Sequence, residues 1–415
     1  MSNHKVQGPS GGPLKGLRIL DLTTVLMGPY ATQLMADLGA DVIKIEPPEG
    51  DTVRGIGPMR NPGMGPIFLH VNRNKRSLVL DLKKPQAIET FLTLVARADV
   101  VICNIRPLAL KRLGIDYERL RSINPRVIFA SLVGYSEAGP YAGKPAYDDL
   151  IQGAAAVPSL MSLSSGGEPR YVPLTLADRT VGLMACNTVL AAVIARSQTG
   201  EGQALEIPMF ETMVQNVLSD HLAGDTFEPA LGPIGYSRLL VQERRPYQTV
   251  DGYLCVLVYT DRQWASFLKL IDKAHWMSDD PRFASIGVRT QHINDLYRMV
   301  AQELAQKTTA HWQALLDAAD IPCLPLHSLD SLVTDPHLLA TGMIRSVEHP
   351  SEGTIRQLGV PVTLSATPPN QALRPAPRLG EHSEEILQEA GFSGARIQAL
   401  IASGATRCAD PLNVD

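Results

Sequence analysis

The chain has no Cys-x-x-Cys pair, and its five cysteines (Cys103, Cys186, Cys255, Cys323 and Cys408) are scattered. An odd, dispersed set argues against a secreted disulfide framework. Cys103, at the end of an apolar run, reads as an inert core thiol. Ten histidines include no His-Glu-x-x-His, and none stands at zinc spacing from a cysteine, so no metal site is expected. No run approaches the roughly 20 apolar residues of a membrane span. The stretch Met1–Pro13 is polar and lacks the apolar core of a signal peptide. Together these absences predict a cytoplasmic protein without a membrane partner. A net charge of −4 gives no electrostatic reason to expect nucleic acid. Neither G-x-G-x-x-G nor a P-loop is present, so a nicotinamide or nucleotide cofactor is not implied, and no permanently bound cofactor is expected.

What is there is a chain of 415 residues, 45% hydrophobic and 19% charged, ordinary for a folded protein. At roughly 150 residues per domain it should hold two or three. The first half alternates strands (Leu17–Leu22, Asp41–Ile45, Ser77–Leu82, Val100–Asn104, Arg126–Val133) with helices (Tyr30–Leu38, Pro85–Ala96). Continuous apolar strands separated by helices predict an α/β class, a Rossmann-like parallel sheet covered on both faces. Helices at Tyr147–Val157 and Thr180–Arg196 follow, then a strand at Gln203–Pro208 and a helix at Phe210–Leu222. A Gly- and Pro-rich linker at Gly224–Pro233 leads to a hairpin at Tyr247–Tyr259 and three helices, a small α+β domain. The boundaries read as 14–224 for the first part of the large domain, 225–328 for the small domain, and 329–415 for a segment returning to the large one.

Asp178 opens the long apolar helix after a loop rich in Gly, Ser and Pro. A carboxylate there suits a helix cap, worth about 1 kcal/mol, and equally suits a nucleophile. Such a carboxylate, with a reference pKa near 3.9, is expected to be ionised at neutral pH without a partner base. Arg73, Lys75 and Arg76 crowd one turn before a strand, and Arg106, Lys111 and Arg112 follow another. Either group suits phosphate oxygens; the alternative is a solvated basic turn.

The ordered blocks Leu20-Asp21-Leu22-Thr23, Gly28-Pro29, Asp37 to Glu46, Asn72 to Ser77, Ala98 to Val101, Arg106-Pro107, Asn124-Pro125-Arg126, Tyr147-Asp148 with Gln152, Asp178 with Gly182, Asp251-Gly252-Tyr253, Asp335-Pro336 and Leu379-Gly380 resemble the family III CoA-transferases. The resemblance runs from about Leu14 to Ile401. It implies that Asp178 attacks an acyl-CoA thioester and carries a mixed anhydride, then an aspartyl-CoA thioester. It places Thr24, Val25, Leu26, Met27, Arg73, Lys75, Asn104, Ile105, Arg112, Lys144 and Tyr147 along CoA. It also implies CoA esters and small carboxylates as substrates, and an interlocked homodimer.

Some positions depart from relatives. Leu26 stands where formyl-CoA transferases carry a glutamine, and Ala230–Gly235 holds two separated glycines in place of their run of four. These disfavour formate and oxalate; a four- or five-carbon dicarboxylate with succinyl-CoA as donor is expected instead. Ala177 stands where many relatives have glycine. The 2-methylacyl-CoA racemases of the same family carry a histidine where this chain has Tyr147, and a phenol of pKa about 10 is a poor base at neutral pH. Racemase chemistry, or a CoA-ester binding protein without activity, are the alternatives.

Overall fold

The computed structural model describes residues 11–369 and 373–410. They form two compact units. One comprises the described chain up to Ala154, Leu174–Val214 and the described chain from His337 on; the other comprises Ala155–Pro173 and Gln215–Pro336.

The first unit is built on six parallel strands: β1 (Arg18–Asp21), β2 (Asp41–Glu46), β3 (Lys75–Val79), β4 (Val100–Cys103), β5 (Ile128–Val133) and β6 (Ala204–Pro208). Their order is β3-β2-β1-β4-β5-β6. The sequence direction reverses between β1 and β4, and in open α/β sheets the crevice at such a point, above the carboxyl ends of the strands, is where ligands bind. Ile19, Leu20, Val42, Ile43 and Val100 to Ile102 are almost wholly buried, as strands covered on both faces require. Below the sheet, Phe91, Leu94, Leu120, Phe129, Leu387 and Leu400 join one core, so the last helices pack against the first strands.

Element edges shifted for local reasons. The first helix spans Met27–Asp37 and starts before Tyr30, because Gly28 and Pro29 fit a first turn, where proline loses no needed donor. β3 starts at Lys75 because two cations enter the strand already paired, Lys75 with the buried Asp21 and Arg76 with Asp41. The helix expected at Tyr147–Val157 is two, Asp148–Ala154 and Val157–Ser165. Ala156 between them is left-handed (φ 63°), and proline follows in the next first turn. The Val157–Ser165 helix packs on Ser237–Leu240, which is why Ala155–Pro173 belongs to the second unit and not to the large domain as expected. The helix expected at Thr180–Arg196 extends over Leu176–Thr199. By length and composition alone it could cross a membrane, contrary to the sequence expectation that no such run exists. Val181, Ala185, Val189 and Ala192 are buried, and the helix packs on Met27–Asp37, β5 and β6.

The second unit holds β7 (Tyr247–Gln248), β8 (Tyr253–Val256) and β9 (Cys323–Pro325) in one antiparallel sheet. Trp264, Phe267, Phe283, Leu296, Trp312 and Leu316 form its core. In the first unit, β10 (Ile344–His349) and β11 (Gly353–Leu358) form an antiparallel hairpin.

A buried ionic network lies beneath the β1 exit. Asp21 accepts hydrogen bonds from Thr23 N and Oγ1, Thr32 Oγ1 and Lys75 Nζ (3.1 Å). Burial opposes its ionisation, but Lys75, Lys44 and the two hydroxyls hold the carboxyl at about 2. Lys44 Nζ donates to Thr23 O and Asp51 Oδ2, both at 2.9 Å. Arg54 grips Glu46 with two nitrogens at 2.7 and 2.8 Å. Removing one partner of a buried pair costs about 3–5 kcal/mol. Lys75→Met should therefore lower unfolding free energy by about that amount, read from urea denaturation. A loss below about 1 kcal/mol would show that the network is not structural.

Candidate active site

The cleft at the switch point has a volume of about 280 Å³ and is lined from all four strand exits on that side of the sheet. Thr24, Val25 and Met27 come from β1, Asn104, Arg106 and Pro107 from β4, Leu132 to Tyr135 and Glu137 from β5, and Met209 follows β6. The loop Gly143 to Tyr147 closes one side.

Two features fix the β1 exit. Thr24 N donates to Asn104 Oδ1 and Asn104 Nδ2 donates back to Thr24 O, each at 3.1 Å. Val25 adopts φ 70°, a region that β-branched residues rarely enter, while its N–H is held by Asp51 Oδ1 at 3.0 Å. Strain of this kind persists where surroundings over-determine it, and marks functional turns. The first helix then begins at Met27 with no acidic residue in its first turn, so its N-terminal dipole faces the cleft uncompensated.

The cations divide cleanly. Arg106 and Lys144 line the cleft, and neither has an ion pair among the described residues; Lys144 lies 4.0 Å from the Tyr141 ring centroid. Tyr147 is 67% exposed along the same wall, which a merely packed aromatic would not be. Other residues expected along CoA lie outside the cleft lining. Lys75 is fully buried with Asp21, Pro29 O and Asn72 as acceptors, so its charge is consumed inside the fold. Arg73 is buried and paired with Asp37 at 2.6 Å. Leu26 is buried as the residue before the first helix, and Ile105 packs against the core below the sheet. Arg112 sits exposed in the last turn of Pro107–Leu113 and does not line the cleft. Thr24, Val25, Met27, Asn104, Lys144 and Tyr147 are brought together. Arg106, read from the sequence as suited to phosphate, reaches the cleft, and Glu137 reaches it without having been singled out.

Asp178 lies in the first turn of Leu176–Thr199, three residues beyond Thr175, which precedes the helix. It does not cap. Its backbone N–H is instead taken by Asp148 Oδ1 at 2.9 Å, and Gln152 Nε2 holds the other Asp148 oxygen at 2.6 Å. Asp148 thus satisfies the helix start and leaves the Asp178 carboxylate without a hydrogen bond from any described residue. Close packing places this turn. A Cβ on Gly182 would lie 2.8 Å from Met27 O and 3.0 Å from Tyr30 Cδ1, so only glycine lets the two helices meet beside the cleft-lining Met27.

Burial, and then repulsion from Asp148, push the Asp178 carboxyl up to about 7, with Arg179 opposing. The expectation of a carboxylate fully ionised at neutral pH is corrected accordingly: half-burial and a second acid raise it. Asp148→Asn keeps the acceptor for the Asp178 N–H and removes the repulsion. The Asp178 pKa should then fall below 7 while staying above the ordinary carboxylate range, because burial remains. Carboxyl ¹³C NMR titration measures this, and an unchanged midpoint would remove Asp148 from the electrostatics.

Residues 14–383 match the model of CoA-transferase family III. The chain is 32% identical over 399 residues to the succinyl-CoA:glutarate CoA-transferase of Mus musculus, covering 94% of this chain and 90% of that one. It is 30% identical over 417 residues to a formyl-CoA:oxalate CoA-transferase of Escherichia coli, covering 94% and 98%. Among solved structures, Rv3272 from M. tuberculosis superposes with a TM-score of 0.78 at 30% identity, covering 91% of this chain and 99% of that one. A sheet reversing beneath a cation-lined cleft, an unencumbered aspartate at a helix start, and these likenesses over nearly the whole length agree: the chain belongs to CoA-transferase family III.

Proposed function

We propose that this enzyme moves CoA from succinyl-CoA to a second small dicarboxylic acid, with Asp178 as the nucleophile. The observation that carries the reading is the Asp178 carboxylate itself. It is half-buried, relieved of capping by Asp148, and set in a helix-start turn packed against the first helix, whose Met27 lines a cleft with two unpaired cations. An Asp178 oxygen adds to the thioester carbonyl, the C–S bond breaks and CoA thiolate leaves, giving a mixed anhydride. The thiolate attacks the Asp178 carbonyl, the donor acid departs as carboxylate, and aspartyl-CoA remains. The acceptor carboxylate attacks that thioester and expels the thiolate. The thiolate then takes the acceptor acyl group as its CoA ester and restores Asp178. A thioester is exchanged for a thioester, so the cycle consumes no other energy source and nets no proton.

Arg106 and Lys144 suit the phosphates of CoA, Thr24 to Met27 and Asn104 its pantetheine arm, and Tyr147 the cleft wall. A dicarboxylate donor fits the relative that acts on succinyl-CoA and glutarate. Formyl-CoA fits less well, since Leu26 is buried and brings no polar group. Racemase chemistry lacks the histidine of its acid–base pair: no histidine lines the cleft among the described residues. The reading includes a homodimer in the cytoplasm; the exposed Leu183, Met184 and Ile194 on the Leu176–Thr199 helix support the dimer part alone.

The test is mass spectrometry of acyl-CoA esters incubated in D₂O with ¹³C-labelled carboxylates. Wild type should give labelled acyl-CoA without deuterium at C2, and Asp178→Ala none. Deuterium without label exchange would make the protein a racemase. Since only the ionised aspartate attacks, the rate of anhydride formation should climb as pH rises through about 7 and level off above it. A rate flat from pH 5 to 8 would contradict a nucleophile of that pKa.

A further inference from the structure

We propose that Arg179 holds the second carboxylate of the acyl group while that group is carried on Asp178. The assignment rests on the CoA-transferase reading above and names the residue that selects its dicarboxylate substrates. Arg179 follows the nucleophile directly in the helix, and its guanidinium carbon lies 4.4 Å from the centroid of the Tyr30 ring. Tyr30 is held there by the close crossing at Gly182. Stacking one face of a guanidinium on a ring leaves its planar N–H edge open, and that edge matches a carboxylate with two parallel hydrogen bonds.

The buried arginines of the described residues are all neutralised. Arg54, Arg73, Arg76, Arg196 and Arg289 each have a carboxylate partner. Among the described residues, the Arg179 guanidinium has no ion pair and no hydrogen bond, although burial already pushes its pKa below the usual arginine value. The groups that act on it by field are the Tyr30 phenol and then Asp178, its one carboxylate neighbour. His70, which also feels Arg179, has its pKa lowered by burial, Arg73 and Arg179, so it adds no competing positive charge at neutral pH.

The chemistry sharpens the point. When Asp178 becomes an anhydride its negative charge disappears, and Arg179 is left partly buried without a counter-ion. A four-carbon diacid carries its far carboxylate about 4–5 Å from the reacting one, within reach of a neighbouring arginine side chain. Its charge replaces the one lost. A monocarboxylate of equal length offers only a methyl group there and leaves the cation unpaired.

The experiment compares succinyl-CoA with butyryl-CoA, equal in length and differing by carboxylate against methyl, as donors for the full-length enzyme. Wild type should prefer succinyl-CoA in kcat/KM by about 10- to 100-fold, the scale of a charge-assisted bond. Arg179→Gln, compared at a pH well above the Asp178 pKa so that the nucleophile stays ionised, should erase that preference by slowing succinyl-CoA far more than butyryl-CoA. Arg179→Lys should restore part of it. Equal loss with both donors would mean that Arg179 acts through Asp178 or through packing, and would overturn the assignment. So would a wild type without preference, which needs no variant to fold. Wild type inert toward both donors and all others in the labelling panel would instead bring down the transferase reading, and this assignment with it.

Discussion

The salt bridge between Asp21 and Lys75, sealed from water under the end of β1, is the interaction on which the site depends. Neither charge could stay ionised there alone. Each makes the other tolerable, and Thr23, Thr32, Pro29 O and Asn72 take up their remaining hydrogen-bonding capacity. Burial still brings the Lys75 ammonium down to about 8 even with Asp21 attracting it, while Lys44 repels it. Lys44 extends the network to Thr23 O and Asp51, and Asp51 in turn holds the Val25 N–H. The turn that lines the cleft is thus fastened from below by charges that never reach the cleft. That is how a β-branched residue can be kept at positive φ.

A second division of labour concerns the two neighbouring acids. A helix start demands an acceptor, and an aspartate in the first turn would normally be drawn toward that work. Here Asp148, steadied by Gln152, accepts the Asp178 N–H from a different helix. Asp178 keeps its lone pairs and gains a like-charged neighbour. The same contact therefore frees Asp178 from the backbone and adds to the rise in pKa that burial begins.

Much of this was legible in the sequence. The alternation of apolar strands and helices announced the parallel sheet, and the family resemblance pointed to the Thr24–Met27 turn and Asn104, which the strand order brings together. The basic turn at Asn72 to Ser77 was misread for a physical reason. A cluster of cations in one dimension looks solvated or ligand-seeking, because the acids that neutralise it are distant in sequence. Arg73 pairs with Asp37, Lys75 with Asp21 and Arg76 with Asp41, all on or beside elements that only the fold brings near. The Asp178 pKa was hidden for the same reason: it depends on burial and on Asp148, thirty residues earlier.

The raised pKa also bears on the energetics of the proposed cycle. An anhydride is a strong acyl donor to the extent that its leaving carboxylate is stable, and leaving-group quality follows the pKa of the departing acid. An ordinary aspartate near 3.9 would sit far below a thiol near 8.5, so its anhydride would lie well uphill of the thioester. At about 7, the Asp178 carboxyl is much closer to the thiol. The intermediate is then less activated, and the exchange can run in either direction with comparable barriers. The cost is that about half the enzyme is protonated at neutral pH, a factor of about two in rate. Against a change of about three pKa units in the leaving group, each worth up to 1.36 kcal/mol, that loss is small. In the proposed cycle a raised Asp178 pKa is therefore a net gain, and the contact with Asp148 that contributes to it is also the contact that starts the helix.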